Sequence, residues 1–369
     1  MQLRRIELFA LQMRLRHPFE TSFGREEERE FLLVRAQTDD FVGWGEVTVS
    51  RDPFYSYETL ETAESVLRNY LIPWTLSAPI AHPDDLLPRL GQVRGHQMAK
   101  AGLEGALWDL YAQEQGLPLY RALGGERREI EVGISIGIEP TVDLLLQQVE
   151  RFLGEGYRRI KIKIKPGQDY EPLRAVRDRF GNIPMMADAN SAYRLSDIGL
   201  LQRLDELGLM MIEQPLGYDD IIDHAKLSPQ LRTPICLDES IHGPDDARKA
   251  IELRAAGILN IKIGRLGGLG PARKTHDIAR EAGIPVWCGG MLESGVGRLH
   301  NVAITTLPGF TLPGDTAASR RYWEEDIVEP EVEVTPQGTI VVPQTPGIGS
   351  AVREDRVRAL AHGHWTYRP

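Results

Sequence analysis

The chain has 369 residues, 42% of them hydrophobic, and a formal net charge of −10, so it can bury a large core and is long enough for two domains. The acidic balance leaves no basic stripe for nucleic acid. The most apolar windows, IEVGISIGI and GLMMIEQP, are strand-length and far short of the ~20 residues of a bilayer span, and MQLRRIELFA lacks a signal-type apolar core. Three amphipathic strand candidates come first, LRRIELFALQMRL, EFLLVRAQT and VGWGEVT, with turn chemistry at Asp39-Asp40 and Gly43. Between the first two, GREEEREF reads as a solvated turn. Helical periodicity follows over 57–70, 83–90 and 97–115; in the last, Met98, Leu103, Leu107, Leu110 and Tyr111 make an apolar stripe. An α+β domain over 1–125 is expected, closed by the helix stop GLPLYRALGG.

From Glu131 the chain alternates between strand candidates (EVGISIGI, RRIKIKI, PMMADA, LMMIEQP, PICLDE, ILNIKIG, PVWCGG, FTLPGD) and amphipathic helical windows. Eight apolar strands with intervening helices predict an α/β fold, a (β/α)8-type barrel over 126–321, more readily than an open doubly wound sheet. The segment 322–369 returns to short strands and is expected to fold back on the first domain. Cys236 and Cys288 lie inside strand candidates, which suits reduced core thiols in a cytoplasmic protein.

Three acids end successive strand candidates at a constant spacing of 25 residues: Asp188 in MMADAN, Glu213 in MMIEQP and Asp238 in PICLDE. In a parallel barrel, one strand plus one helix spans that interval, and neighbouring strands lie ~4.8 Å apart, so the three carboxylates can converge. Converging carboxylates repel unless a cation lies among them, and all-oxygen ligation suits Mg²⁺, with Mn²⁺ or Co²⁺ as alternatives. Lysines flank the set, Lys163 on the second barrel strand and Lys262 on the sixth, which stand opposite each other in an eight-stranded barrel. Lys161, Lys163 and Lys165 share one face by the two-residue period, so periodicity leaves open which is the base. A neighbouring cation and a divalent ion both disfavour protonation of such a lysine, which fits it for general-base work. A carboxylate that meets the metal has its α-proton acidified, and the opposed lysine can return a proton to the other face. Racemisation follows, or an alkene where a β-hydroxyl leaves.

These residues, with GLPLYRALGG, RRIKIKIKPG, DANSAY, IEQPL, CLDES, NIKIGRLGG, GGMLESGVGRLHN and LPGDTAASRRYW, resemble the enolase superfamily along essentially the whole chain. Within it they are most similar to the muconate-lactonizing subgroup and its N-acylamino acid racemases and o-succinylbenzoate synthases. That superfamily is itself a standing example of a lysine or histidine base acting beside Mg²⁺ through an enediolate, so the mechanism is implied by the resemblance. The resemblance implies that Asp188, Glu213 and Asp238 ligate the metal, that Lys163 and Lys262 are the acid/base pair, and that Lys161 is the first lysine of a Lys-x-Lys motif. It also implies a small-molecule carboxylate substrate, a homo-oligomer and a specificity loop set from the first domain, HPFETSFG and DPFYSYET, with Phe19, Phe23 and Tyr55. Ser135, Asn190, Gly290 and Met291 are further candidates for substrate contact.

Departures from neighbouring families sharpen the expectation. The seventh strand PVWCGG has no histidine of the mandelate-racemase type, and LPGD lacks the Asp-x-Asp with which dipeptide epimerases hold a free amine. Muconate cycloisomerase and dipeptide epimerase stay as alternatives in the same subgroup. A non-catalytic ligand-binding barrel is the alternative of another class, opposed by the complete set of five chemical residues. GRLGGLG (264–270) lacks the spacing of a dinucleotide fingerprint, although its amides suit an anion, and His300 reads as structural.

Overall fold

The computed structural model describes residues 1–369. Two sheets organise it. The first is antiparallel: β1 (Arg5–Glu20), β2 (Arg25–Gln37) and β3 (Val42–Val47) form a meander, and the C-terminal strand Ala361–Tyr367 pairs on the free edge of β1. β1 and β2 run longer than their apolar cores, because the polar run Arg25–Glu30 continues the ladder against Gln12, Met13, Arg14, Phe19 and Glu20. GREEEREF is therefore strand and not turn. Cross-strand pairing, with Gln12 donating to Glu28, holds the charged half of β2 in place.

Helix Gln97–Glu114 packs on β3 at unusually close range. A methyl group on Gly45 would stand 2.0 Å from the Gly102 carbonyl oxygen, and one on Gly43 would stand 2.1 Å from that of Ala106. The helix is buried nearly all round rather than along one stripe, since the barrel covers its other side through the turn Ile263–Leu266.

The second sheet is parallel and curled, seven strands in chain order: Ile134–Ile136, Ile160–Lys163, Met185–Asp188, Ile212–Glu213, Ile235–Leu237, Ile258–Ile261 and Val286–Cys288. FTLPGD, the eighth expected strand, is not regular strand. Pro313 interrupts it, and it closes the barrel through single parallel bridges, Phe310 to Val286 and Gly314 to Val132. Met186, Met211, Cys236, Ile258 and Trp287 fill the barrel floor, with the Trp287 indole N–H donating to Cys236 Sγ at 3.3 Å. Both cysteines are buried and unpaired. No helix is long and apolar enough to cross a membrane.

Candidate active site

Pairing register carries the charged residues to one level. Lys163 lies beside Asp188, Asp188 beside Glu213, and Asp238 follows the fifth strand directly. All three carboxylates are fully buried. Lys161 and Lys163 point into the barrel from the second strand, while Lys165, beyond the strand end, sits half-exposed at the rim with Glu20 at 3.2 Å. The alternation that left three lysines equivalent is thus broken by where the strand stops.

Each carboxylate is engaged by ammonium or guanidinium groups. Lys161 Nζ lies 3.1 Å from both Asp188 and Glu213 and 2.7 Å from Asp315, itself held by Arg159 at 2.7 Å. Lys163 Nζ donates to Asp188 at 2.7 Å and to Asn190 Oδ1 at 2.5 Å. On the opposite wall Lys262 Nζ donates to Asp238 at 2.8 Å and to the Tyr55 hydroxyl at 3.0 Å, and Arg265 reaches Asp238 at 2.9 Å. Asn260, two residues before Lys262 and so on the same face, donates to Glu213 at 2.6 Å.

Electrostatics follow from this wiring. Burial raises Asp188, but Lys163 and Lys161 overcome it and hold that carboxyl well below the usual range. Burial acts the same way on Asp238, yet Lys262 and Arg265 draw it down to about 2. Glu213 goes the other way, raised by burial and by the charges of Asp188 and Asp238 despite Lys161. Burial opposes the charge of Lys262, but Asp238 prevails and keeps the ammonium protonated.

Mutual repulsion at Glu213 is the signature of a carboxylate cluster that a further cation would relieve. No three of the acidic oxygens here converge at metal-binding spacing, because the lysines lie between them. The donor set nevertheless fits a hard divalent ion: three buried carboxylates, all oxygen, on adjoining strand ends. Glu239 Oε2 and Asn260 Oδ1, buried without partners, add unsatisfied acceptors beside them.

Above the charges lies a cavity of about 600 Å3 between barrel and first domain, lined by Lys163, Lys262, Asn190, Gly290, Met291, Phe19 and Tyr55. Ser135 does not line it. In register with Lys161, it sits deeper, its hydroxyl buried and unpartnered. Backbone strain concentrates at this mouth. Of six non-glycine residues with left-handed φ, four (Asn190, Ser191, Gln214 and Leu292) lie within four residues of a barrel strand's C-terminal end. Gln214 then braces two strand ends, its Oε1 accepting from the Asp238 N–H at 3.0 Å and its Nε2 donating to Ser240 at 2.6 Å.

Sequence reasoning did not find Arg159, Gln214, Glu239, Asn260, Arg265 and Asp315. Asn260 and Asp315 carried a positional signal, the first by its period with Lys262 and the second by ending the eighth strand candidate; the others lie within the quoted motifs RRIKIKIKPG, IEQPL, CLDES and NIKIGRLGG, but no periodicity singles them out. The GRLGGLG amides do hold an anion, but it is the chain's own: Glu104 of the first domain accepts from Leu269 and Gly270 N–H. His300 is buried and bonded to the Val296 and Gly105 carbonyls, and burial pushes it down to about 4.

A parallel barrel capped by an α+β domain, with a large cavity at the strand C-termini, is the build of a barrel enzyme that acts on a small molecule. Residues 144–356 match the family "Enolase C-terminal domain-like", and residues 5–124 match "Mandelate racemase / muconate lactonizing enzyme, N-terminal domain". The chain is 58% identical to o-succinylbenzoate synthase of Geobacillus kaustophilus, covering 94% of this chain and 92% of that protein. It is 51% identical to N-succinylamino acid racemase of Thermus thermophilus over 95% and 94%. An enolase-superfamily structure from Listeria innocua superposes with a TM-score of 0.95 at 37% identity, covering 100% of this chain and 99% of that one. The chain belongs to the enolase superfamily. It is an enzyme, and the superfamily's members bind a divalent metal ion.

Proposed function

We propose that the protein removes the proton α to a substrate carboxylate, racemising N-succinyl amino acids, forming o-succinylbenzoate by syn-dehydration, or both. The observation that carries this reading is the placing of Lys163 and Lys262 on opposite walls of one cavity, each hydrogen-bonded to a different buried acid. Asp188, Glu213 and Asp238 would hold the metal, Mg²⁺ by choice, which when bound stabilises the negative charge that develops on the substrate carboxylate.

The chain's own residues do the rest. Lys163 Nζ and Lys262 Nζ address opposite faces of a carbon between them, so one takes a proton and the other delivers one. Inversion at that carbon follows. In syn-elimination the proton and the hydroxyl leave from one face, so a single lysine both takes the proton and assists the departing oxygen. Asn190 and Tyr55 orient the two ammonium groups, and the first domain closes over the cavity and excludes water. Lys161, locked between Asp188, Glu213 and Asp315, keeps its charge and balances the acids. Buried, unpaired cysteines suit a reducing, cytoplasmic setting.

The test is incubation of each enantiomer of an N-succinyl amino acid with Mg²⁺ in D2O. The wild-type protein should incorporate deuterium at the α-carbon from either enantiomer and lose optical rotation. Lys163→Ala and Lys262→Ala should each abolish racemisation by roughly 10²–10⁴-fold while one enantiomer, a different one for each variant, still exchanges. Exchange of both enantiomers in either variant would refute the opposed-base reading.

A further inference from the structure

The charged half of β2 has a use beyond pairing. Residues Arg25–Glu30 wall the active-site cavity, and four arginines line it: Arg14, Arg25, Arg29 and Arg51. Three are exposed; Arg29 is only 2% exposed. Its Nη1 donates to Ser50 Oγ at 3.1 Å and its Nη2 to the Thr48 carbonyl at 2.8 Å, whereas its Nε is buried without a partner. Both acceptors are neutral, and no carboxylate pairs with this guanidinium. Burying a cation without a counter-ion is costly, and a guanidinium fork matches a carboxylate edge.

Its position is on the Lys262 side of the mouth. Thr48, which accepts from Arg29, abuts Gly264 two residues beyond Lys262, where a methyl group would stand 2.2 Å from the Thr48 hydroxyl. Ser50 links Arg29 to Glu26, donating to Glu26 Oε1 at 3.5 Å, and Glu26 Oε2 is likewise buried and unpartnered. An anion at Arg29 therefore meets one cation and, across Ser50, one acid.

We infer that Arg29 binds the distal carboxylate of the substrate's acyl chain and so determines specificity for dicarboxylate over neutral acyl substrates. The inference rests on the proposed function, which gives the substrate two carboxylates: the α-carboxylate at the lysine and acid floor, and the terminal succinyl carboxylate at the first-domain wall. Nothing else buried on that wall is a cation without an acidic partner. Glu26 sets the strength of the site, since its charge opposes the anion.

The experiment compares two substrates of one amino acid, the N-succinyl form and the N-succinamoyl form, in which a carboxamide of equal size replaces the distal carboxylate. Racemisation kcat/KM and calorimetric Kd are measured with Mg²⁺ in excess. The wild-type enzyme should prefer the succinyl form by roughly 10- to 100-fold. Arg29→Met should collapse that ratio toward unity, Arg29→Lys should keep part of it, and Glu26→Gln should widen it. Equal handling of the two acyl chains by the wild-type protein overturns the inference, as does an Arg29→Met variant that weakens both substrates by the same factor and keeps the ratio. Where Arg29→Met fails to fold, Arg29→Lys carries the test, and a succinyl-to-succinamoyl ratio unchanged from wild type overturns the inference. If neither substrate is turned over, the proposed function falls, yet the ratio of Kd values still decides the role of Arg29.

Discussion

At the scale of single residues, the site is a problem in charge neutralisation. Asp315 faces Lys161 and Arg159 at 2.7 Å each, all three nearly or fully buried. Removing the one anion strands two cations in the barrel, so Asp315→Ala should cost roughly 3–5 kcal/mol in urea unfolding. The same network explains why Lys161 and Lys163 differ although two residues apart on one strand. Lys161 has three carboxylates around it, whereas Lys163 has one carboxylate and an amide and opens to the cavity.

At the scale of elements, the two domains are joined by carboxylates that cap barrel helices. Glu46 of β3 accepts from Ser294 and Gly297 N–H at the start of helix Gly295–Thr305, and Glu104 does so for helix Leu269–Glu281. Helix N-termini favour such anions, which fixes the first domain over the loop that carries Gly290 and Met291. The sheet and its helix approach so closely at Gly45 and Gly102 that any side chain there must part them. Gly45→Ala should destabilise the first domain by roughly 1–3 kcal/mol, read as a shifted denaturation midpoint.

For the whole molecule, pH and metal report on the same buried charges. Burial pushes Glu46 and Glu104 up to about 7 and Asp109 to about 6, against hydrogen bonds that draw them back. Between the ordinary carboxylate values, 4.5 for Glu and 3.8 for Asp, and these raised ones, the folded state holds protons that the unfolded chain has released. These three groups lower stability as pH rises through that window, and His300, held at about 4 against an ordinary 6.5, opposes them only below about pH 6.5. Asp238, held at about 2, stays charged throughout it and contributes no opposing slope. Thermal unfolding should show Tm lower at about pH 8 than at about pH 5.5 by roughly 2–4 °C, a difference that Glu46→Gln reduces. Mg²⁺ at a hundred times its Kd should stabilise the fold by about 2.7 kcal/mol and raise Tm, with a smaller rise in Glu213→Gln.

What the chain's own sequence determined is periodic and local. Alternating apolar strands and amphipathic helices dictate a barrel, and a carboxylate every 25 residues places Asp188, Glu213 and Asp238 at its strand ends, because repeating units deliver equivalent positions to one rim. Lys262 was legible for the same reason, whereas Asn260, two residues before it, carried the same period but was not singled out. Tertiary structure alone decided the rest. Strand termination separated Lys163 from Lys165, closure of the barrel turned FTLPGD from a strand into two bridges, and domain docking converted GREEEREF from a polar run into a cavity wall. Glu104 at the 269–270 amides and Arg29 without a counter-ion arise between segments distant in the chain. No local pattern encodes them, since burial and partnership are properties of the packed interface.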